Sequence, residues 1–263
     1  MRRRLRAWRA GLAAVLLGLA GAAHAQDPAP PRDEVVIIGG VKSHGARQHD
    51  FPAGVPHLAE LVRGAPDLPK GLHVVAYPQG WPTAPDALDR ARTVVWYFDG
   101  LDRHPLRDPV LRTRFAALMD QGVGLVTLHQ ASTLSPGDDL PLPQWLGAAR
   151  YGMPDRADEL IAFTPASPPV TRGVSPFALK DEVYPTLRYA GSGVTPVMTG
   201  ELHGALPDPK QQVSRPVAWV YERPGGGRSF GYTGLHYLDA LDQPQLQRLI
   251  LNAILWTAGA PAP

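Results

Sequence analysis

Histidines fall just after short apolar runs at three separated places in this 263-residue chain. His44 and His49 lie in the glycine-containing loop Lys42-Ser43-His44-Gly45-Ala46-Arg47-Gln48-His49-Asp50, His129 precedes Gln130, and His236 follows Thr233-Gly234-Leu235. Asp99 ends a further apolar run. Imidazole changes charge near neutral pH and also ligates zinc and other transition metals. Two chemistries are therefore open. A metal site would draw three or four ligands from His44, His49, His129, His236 and Glu182, although their spacing matches no HxxxH or HExxH pattern. General acid–base catalysis needs no fixed spacing. The pair Asp181-Glu182 opens a strand-like segment, where solvated loop acids are the default. Asp138-Asp139, in a Pro/Gly loop, reads as solvated. Gly225-Gly226-Gly227 lacks the trailing Lys-Ser/Thr and the strand-to-helix setting of a phosphate loop, so it reads as a hairpin turn.

The elements that must position these residues are legible as periodicity. Val35 to Ile38 is a continuous apolar run closed by Gly39-Gly40, a fully buried strand. Val55, Leu58, Ala59 and Val62 recur at helical spacing within 52–63, with proline in the first turn. Strands follow over 72–77, 93–98 and 123–128, with a helix over 108–121 that ends at Gly122. The alternation predicts an α/β fold: a doubly wound, mostly parallel sheet with helices on both faces. In such sheets ligands bind beyond the carboxyl ends of the strands, where the histidines and Asp99 fall. A long insertion begins at Ser135-Pro136-Gly137. Strand-like stretches over 159–163, 183–189 and 194–198 and a hairpin of 216–222 with 229–233 form a β-rich C-terminal extension, and a last helix spans 244–258. Trp81, Trp96, Trp145, Trp219 and Trp256 are core candidates, with Trp81 and Trp145 placed in Pro-rich loops where they could instead line a sugar site.

Composition narrows the chemistry. The chain has no cysteine, which removes disulfides, thiolate metal sites and cysteine nucleophiles. Residues 1–25 read as a signal peptide: five arginines, an apolar run over 11–22, and Ala23-His24-Ala25 as a small-x-small cleavage pattern. Export to the periplasm or beyond would leave a mature chain with 21 basic and 24 acidic residues, net −3, so the basic pI belongs to the leader. That charge argues against nucleic acid as a partner, and no second apolar run is long enough to make an integral membrane protein. Residues 26–34 form a Pro-rich leader, 35–258 the domain, and 259–263 a tail.

Several segments together resemble the trehalose-utilisation (ThuA-like) proteins of the class I glutamine amidotransferase-like superfamily. They are Ser43-His44-Gly45 through His49-Asp50-Phe51-Pro52-Ala53-Gly54, Gly124 to His129, Thr171-Arg172-Gly173-Val174 leading to Asp181-Glu182-Val183-Tyr184, Pro216-Val217-Ala218-Trp219, Gly227 to Phe230, Thr233 to His236, and Leu251 to Trp256. The resemblance implies a flavodoxin-like α/β domain whose amidotransferase ancestor carried a cysteine nucleophile after the strand that here delivers His129. With no cysteine in the chain, glutaminase chemistry is excluded by residue type. It further implies a carbohydrate substrate, 3-keto-glycosides above all, handled in a histidine-lined cleft. His129, Glu182 and His236 would be catalytic, and His44, His49, Asp99, Gln130 and Tyr184 would contact substrate. One divalent metal ion, zinc or similar, would sit on His44, His129 and His236. Relatives often carry a second His and an Asn after the last histidine, where this chain has Leu238 and Ala240. The expected function is a lyase or isomerase acting by proton abstraction on an oxidised sugar. The alternative is a non-catalytic carbohydrate-binding or scaffold protein, with metal-dependent hydrolysis behind both. Homo-oligomerisation is left open.

Overall fold

The computed structural model describes residues 31–153, 155–166, 168–203 and 212–260; the expected signal peptide and most of the leader lie outside them. In chain order the elements are β1 (Glu34–Gly39), α1 (Phe51–Arg63), β2 (His73–Tyr77), β3 (Ala91–Tyr97), α2 (Pro109–Asp120) and β4 (Gly124–Leu128). Then come β5 (Thr133–Leu134), α3 (Leu142–Leu146), β6 (Ala148–Tyr151), β7 (Ala157–Pro165), β8 (Phe177–Val183) and β9 (Arg188–Tyr189). The chain closes with β10 (Val194–Leu202), β11 (Val213–Glu222), β12 (Arg228–Tyr232) and α4 (Pro244–Thr257).

One nine-stranded sheet carries the fold, in the order β2-β1-β3-β4-β12-β11-β10-β7-β8. The pairs β1/β2, β1/β3, β3/β4 and β4/β12 are parallel, and every pair from β12 to β8 is antiparallel. The parallel half has the flavodoxin order 2-1-3-4-5, with β12 in the fifth place, so its switch point falls between β1 and β3. The β-rich C-terminal part is thus the continuation of the same sheet. Alternate residues of the central strands feed two cores, as a two-residue period requires. Val35, Ile37, Val95 and Tyr97 pack with Val55 and Leu58 of α1 and Leu249 and Ile250 of α4. Val36, Ile38, Val94 and Trp96 pack with Phe115 of α2 and Leu142 and Trp145 of α3. Trp145 is therefore a core residue, 8% exposed, and no sugar platform.

The expected strand over 183–189 is corrected. β8 ends at Val183, and the two residues of β9 belong to a separate small sheet with β6. Pro185, which has no N–H to give a ladder, separates them. Asp181-Glu182 therefore closes an edge strand, opposite Glu159 and Asp158 of β7, and both acids are buried. Among the described residues no helix is long and apolar enough to cross a membrane.

Candidate functional site

Four parallel strands end at one place. His44 and His49 follow β1, Asp99 follows β3, His129 follows β4, and Thr233 to His236 follow β12. The loop after β1 is sewn to the loop after β12 by backbone: His49 N–H donates to His236 O at 3.0 Å, Leu238 N–H to Arg47 O at 2.8 Å, and Gln48 bridges Tyr237. Tyr97 adds a hydroxyl bond to Leu235 O at 2.8 Å. These bonds bring two histidines 187 residues apart into contact, His49 Nε2 facing His236 Nδ1 at 3.0 Å.

His129 completes the cluster. Its Nε2 lies 3.0 Å from His49 Nε2 and 3.3 Å from His236 Nδ1. It stands on a tight strand-to-helical turn, at φ 54°, the elbow by which a strand of an α/β sheet presents a reactive side chain. His49 (φ 43°) and Leu235 (φ 83°), next to His236, are also left-handed. Such a conformation costs a non-glycine residue about 1–3 kcal/mol and concentrates where function demands it. Three of the five left-handed non-glycine residues among those described bear on this cluster.

The surrounding hydrogen bonds fix the protons. Asp99 Oδ1 lies 2.7 Å from His49 Nδ1, and the Thr233 carbonyl oxygen 3.0 Å from His129 Nδ1. Both partners are acceptors, so both Nδ1 atoms carry hydrogen and both Nε2 atoms present lone pairs. Burial raises the Asp99 carboxyl, but hydrogen bonds from His49, Ser43 and Arg103 outweigh it and leave it below the ordinary value, hence ionised. Burial, then the neighbouring imidazoles of His49 and His236, holds His129 well below the ordinary histidine value. His236 is lowered to about 4 by burial, then by His49 and His44. His129 and His236 therefore offer lone pairs rather than charges at neutral pH.

This donor set fits a divalent metal. His49, His129 and His236 are buried with ligand atoms within 4.8 Å of one another. Zinc–nitrogen bonds of about 2.0–2.1 Å in a tetrahedral arrangement set ligand nitrogens roughly 3.3 Å apart, and the observed separations are 3.0 and 3.3 Å. A carboxylate behind one ligand and a carbonyl behind another are the usual outer partners of metal-bound imidazoles. His44, expected as a ligand, instead sits exposed at the rim with His49 and Asp99, its ring centroid 3.7 Å from that of His49.

Three further expected residues border the triad. The Tyr184 hydroxyl oxygen lies 2.9 Å from His129 Nε2, and the rings stack. Burial, with the Glu182 carboxylate next, keeps this phenol protonated. Glu182 Oε1 is 3.7 Å from His236 Nδ1, and its Oε2 is 3.3 Å from Arg156. Burial raises the Glu182 carboxyl, with Arg156 pulling the other way. Gln130, nearly buried in the turn after His129, hydrogen-bonds Tyr184.

Two residues went unassigned from sequence. Asp181 is wholly buried and accepts the backbone N–H groups of Leu235 (2.6 Å), His236 (3.0 Å) and Glu182 (2.9 Å), which holds the loop that carries His236. Gly234 is required there, since a Cβ would meet Asp181 Oδ2 at 2.6 Å. Burial raises the Asp181 carboxyl to about 7 against the pull of those N–H groups. Arg150, 1% exposed, places its guanidinium 3.7 Å above the Tyr184 ring. Arg150 had no sequence signal, and Asp181, half of the acidic pair, reads as solvated until the distant loop of Leu235 and His236 supplies its partners.

The chain matches the family model described as ThuA, trehalose utilisation, over residues 35–257. Among solved structures it is similar to a ThuA-like protein from Bacteroides uniformis, at 15% identity and a TM-score of 0.59, covering 89% of this chain and 94% of that one. It is also similar to a GH42 β-galactosidase at 10% identity and a TM-score of 0.53, covering 88% of this chain but 30% of that one. A glutamine amidotransferase from Thermotoga maritima aligns at 12% identity over 87% of this chain and 99% of that one, with a TM-score of 0.49. At these identities the first two likenesses show a shared fold. None of the curated proteins matches the chain.

Proposed function

Because the chain belongs to the ThuA (trehalose utilisation) family, we propose that it is an exported carbohydrate-processing enzyme that abstracts the proton next to the keto group of a 3-keto-glycoside. The observation that carries this reading is the meeting of His49, His129 and His236 beside Glu182 and Tyr184. A keto group acidifies the neighbouring C–H, and the reaction needs a base at that carbon and positive or hydrogen-bonding charge at the oxygen. When bound on the three histidines, a divalent ion such as zinc supplies Lewis-acid polarisation of the keto oxygen.

The chain's own groups divide the remaining work. Glu182, a buried carboxylate raised toward neutrality, is the base: the C–H bond breaks and its proton passes to a carboxylate oxygen. Tyr184, held protonated, donates its hydroxyl hydrogen bond to the oxygen on which negative charge develops. From the enolate, the glycosidic C–O bond can break with Glu182 returning its proton to the departing oxygen, which is elimination. Delivery of a proton to the opposite face of that carbon, or to the former keto carbon with loss of the neighbouring hydroxyl proton, is isomerisation. His44, Asp99 and Gln130 line the open depression at the rim, where sugar hydroxyls would find partners. In this reading residues 1–25 are a cleaved export signal.

The test is solvent exchange. Full-length protein with zinc and methyl 3-keto-glucoside in deuterium oxide is expected to lose the proton signal next to the keto group, and Glu182→Gln to lose that activity by about 100-fold or more. Exchange no faster than without protein overturns the reading.

A further inference from the structure

A second cavity, of about 210 Å3, shares Asp99 and Arg103 with the depression at the rim of the site. Its chemistry is different. Ile38, Val41, Trp81 and Phe98 supply a mainly apolar lining at the ends of β1 and β3. Only Asp99 and Arg103 bring charge, and they are paired with each other at 3.0 Å. Val41 is 71% exposed, and Met153, 50% exposed, lines the adjoining depression. These are two of the few large apolar side chains left exposed among the described residues, Val41 in the wall of this cavity and Met153 in that of the depression.

Size and wall chemistry select the occupant. An apolar cavity of about 150 Å3 accommodates benzene, so this one has room for a substituted aromatic ring. Trp81 and Phe98 offer ring faces and edges for it to pack against. A second sugar would leave hydroxyls facing apolar walls without partners, at a cost for each. Asp99 ties the two places together, since its Oδ1 holds His49 and its Oδ2 holds Arg103 of the cavity wall. One imidazole thus separates the cavity lining from the nitrogens of the triad.

We propose that this cavity is the subsite for the leaving-group half of the glycoside and that it takes an aromatic aglycone. The proposal rests on the reading of the triad as a glycoside-processing site, and deepens it by naming the substrate class as aryl 3-keto-glycosides. The departing group is then a phenol, whose oxygen leaves readily as the glycosidic bond breaks and takes the proton held on Glu182.

The experiment has two arms. In the first, 4-nitrophenyl and methyl 3-keto-glucosides are compared as substrates of the full chain. The aryl substrate is expected to show a KM roughly 10- to 100-fold lower, and Val41→Asp, a change at an exposed wall position, should remove that difference. In the second, 4-fluorophenol alone is titrated and followed by fluorine NMR. Saturable binding that Val41→Asp abolishes and His129→Asn leaves intact supports the subsite whether or not any glycoside is turned over. Should neither glycoside react while fluorophenol binds in this way, the catalytic reading falls and the aromatic site stands. Equal KM values for the two glycosides, or no saturable fluorophenol binding, overturns the proposal.

Discussion

The Nε2 atoms of His49 and His129 face each other at 3.0 Å, with the ring protons of both residues committed on their far sides to Asp99 and the Thr233 carbonyl. Two lone pairs at that distance repel unless a cation or a shared proton lies between them. The burial that depresses His129 works against the proton. A metal ion would relieve that conflict and would find a third ligand in His236.

His129→Asn removes one ligand at a position where the backbone is left-handed, a conformation asparagine tolerates better than most residues. Thermal unfolding should show a stability change below about 2 kcal/mol, while catalytic exchange is lost. Loss of the folded state in this variant would make His129 a structural residue.

Asp99→Asn keeps the shape of the outer partner of His49 but gives up its charge, and with it the pull that fixes the Nδ1 proton. Competition titration with a chelator should find zinc affinity lowered about 10- to 100-fold. Unchanged affinity would show that His49 is oriented by the backbone alone.

Asp181→Asn puts an amide N–H against one of three backbone N–H groups now accepted by the carboxylate. Denaturant unfolding should report a loss of about 1–3 kcal/mol, and the same variant should bind zinc more weakly because the His236 loop loosens. A variant destabilised to that extent yet with unchanged zinc affinity would separate Asp181 from the site.

His104 gives a pH signature remote from the triad. Burial against Trp96 and Phe98 lowers it from 6.5 to about 4, although its ring still reaches the Ala131 carbonyl at 3.3 Å. A histidine lowered on folding is neutral in the native state, so between pH 6.5 and 4 the unfolded chain binds more protons. Its contribution is complete above pH 6.5 and is lost as the pH falls toward 4, by about 3 kcal/mol. Stability measured across that window should fall more steeply for the wild type than for His104→Asn, since His129 and His236 still contribute in the variant; equal slopes would contradict the assignment.

How much of this was legible in sequence follows from what each element is made of. β1, β3 and β4 are buried in a parallel sheet and show as unbroken apolar runs, so their positions and the residues delivered at their ends could be read directly. β8 was misplaced because its buried end consists of acids: Asp181 and Glu182 look like loop residues until the N–H groups of Leu235 and His236 supply the partners. The exchange of His44 for His49 in the triad has a similar origin. Spacing within the loop is silent about which imidazole turns inward, and the choice is made by the bridge from Gln48 to Tyr237 and the left-handed turn at His49.

Zinc titration of the metal-stripped full-length protein decides whether His49, His129 and His236 form a metal centre. The facing lone pairs of His49 and His129 predict one tightly held zinc ion per chain, lost in His129→Asn while that variant stays folded. A wild-type chain that takes up no stoichiometric zinc, or a variant that binds it equally well, would contradict the account.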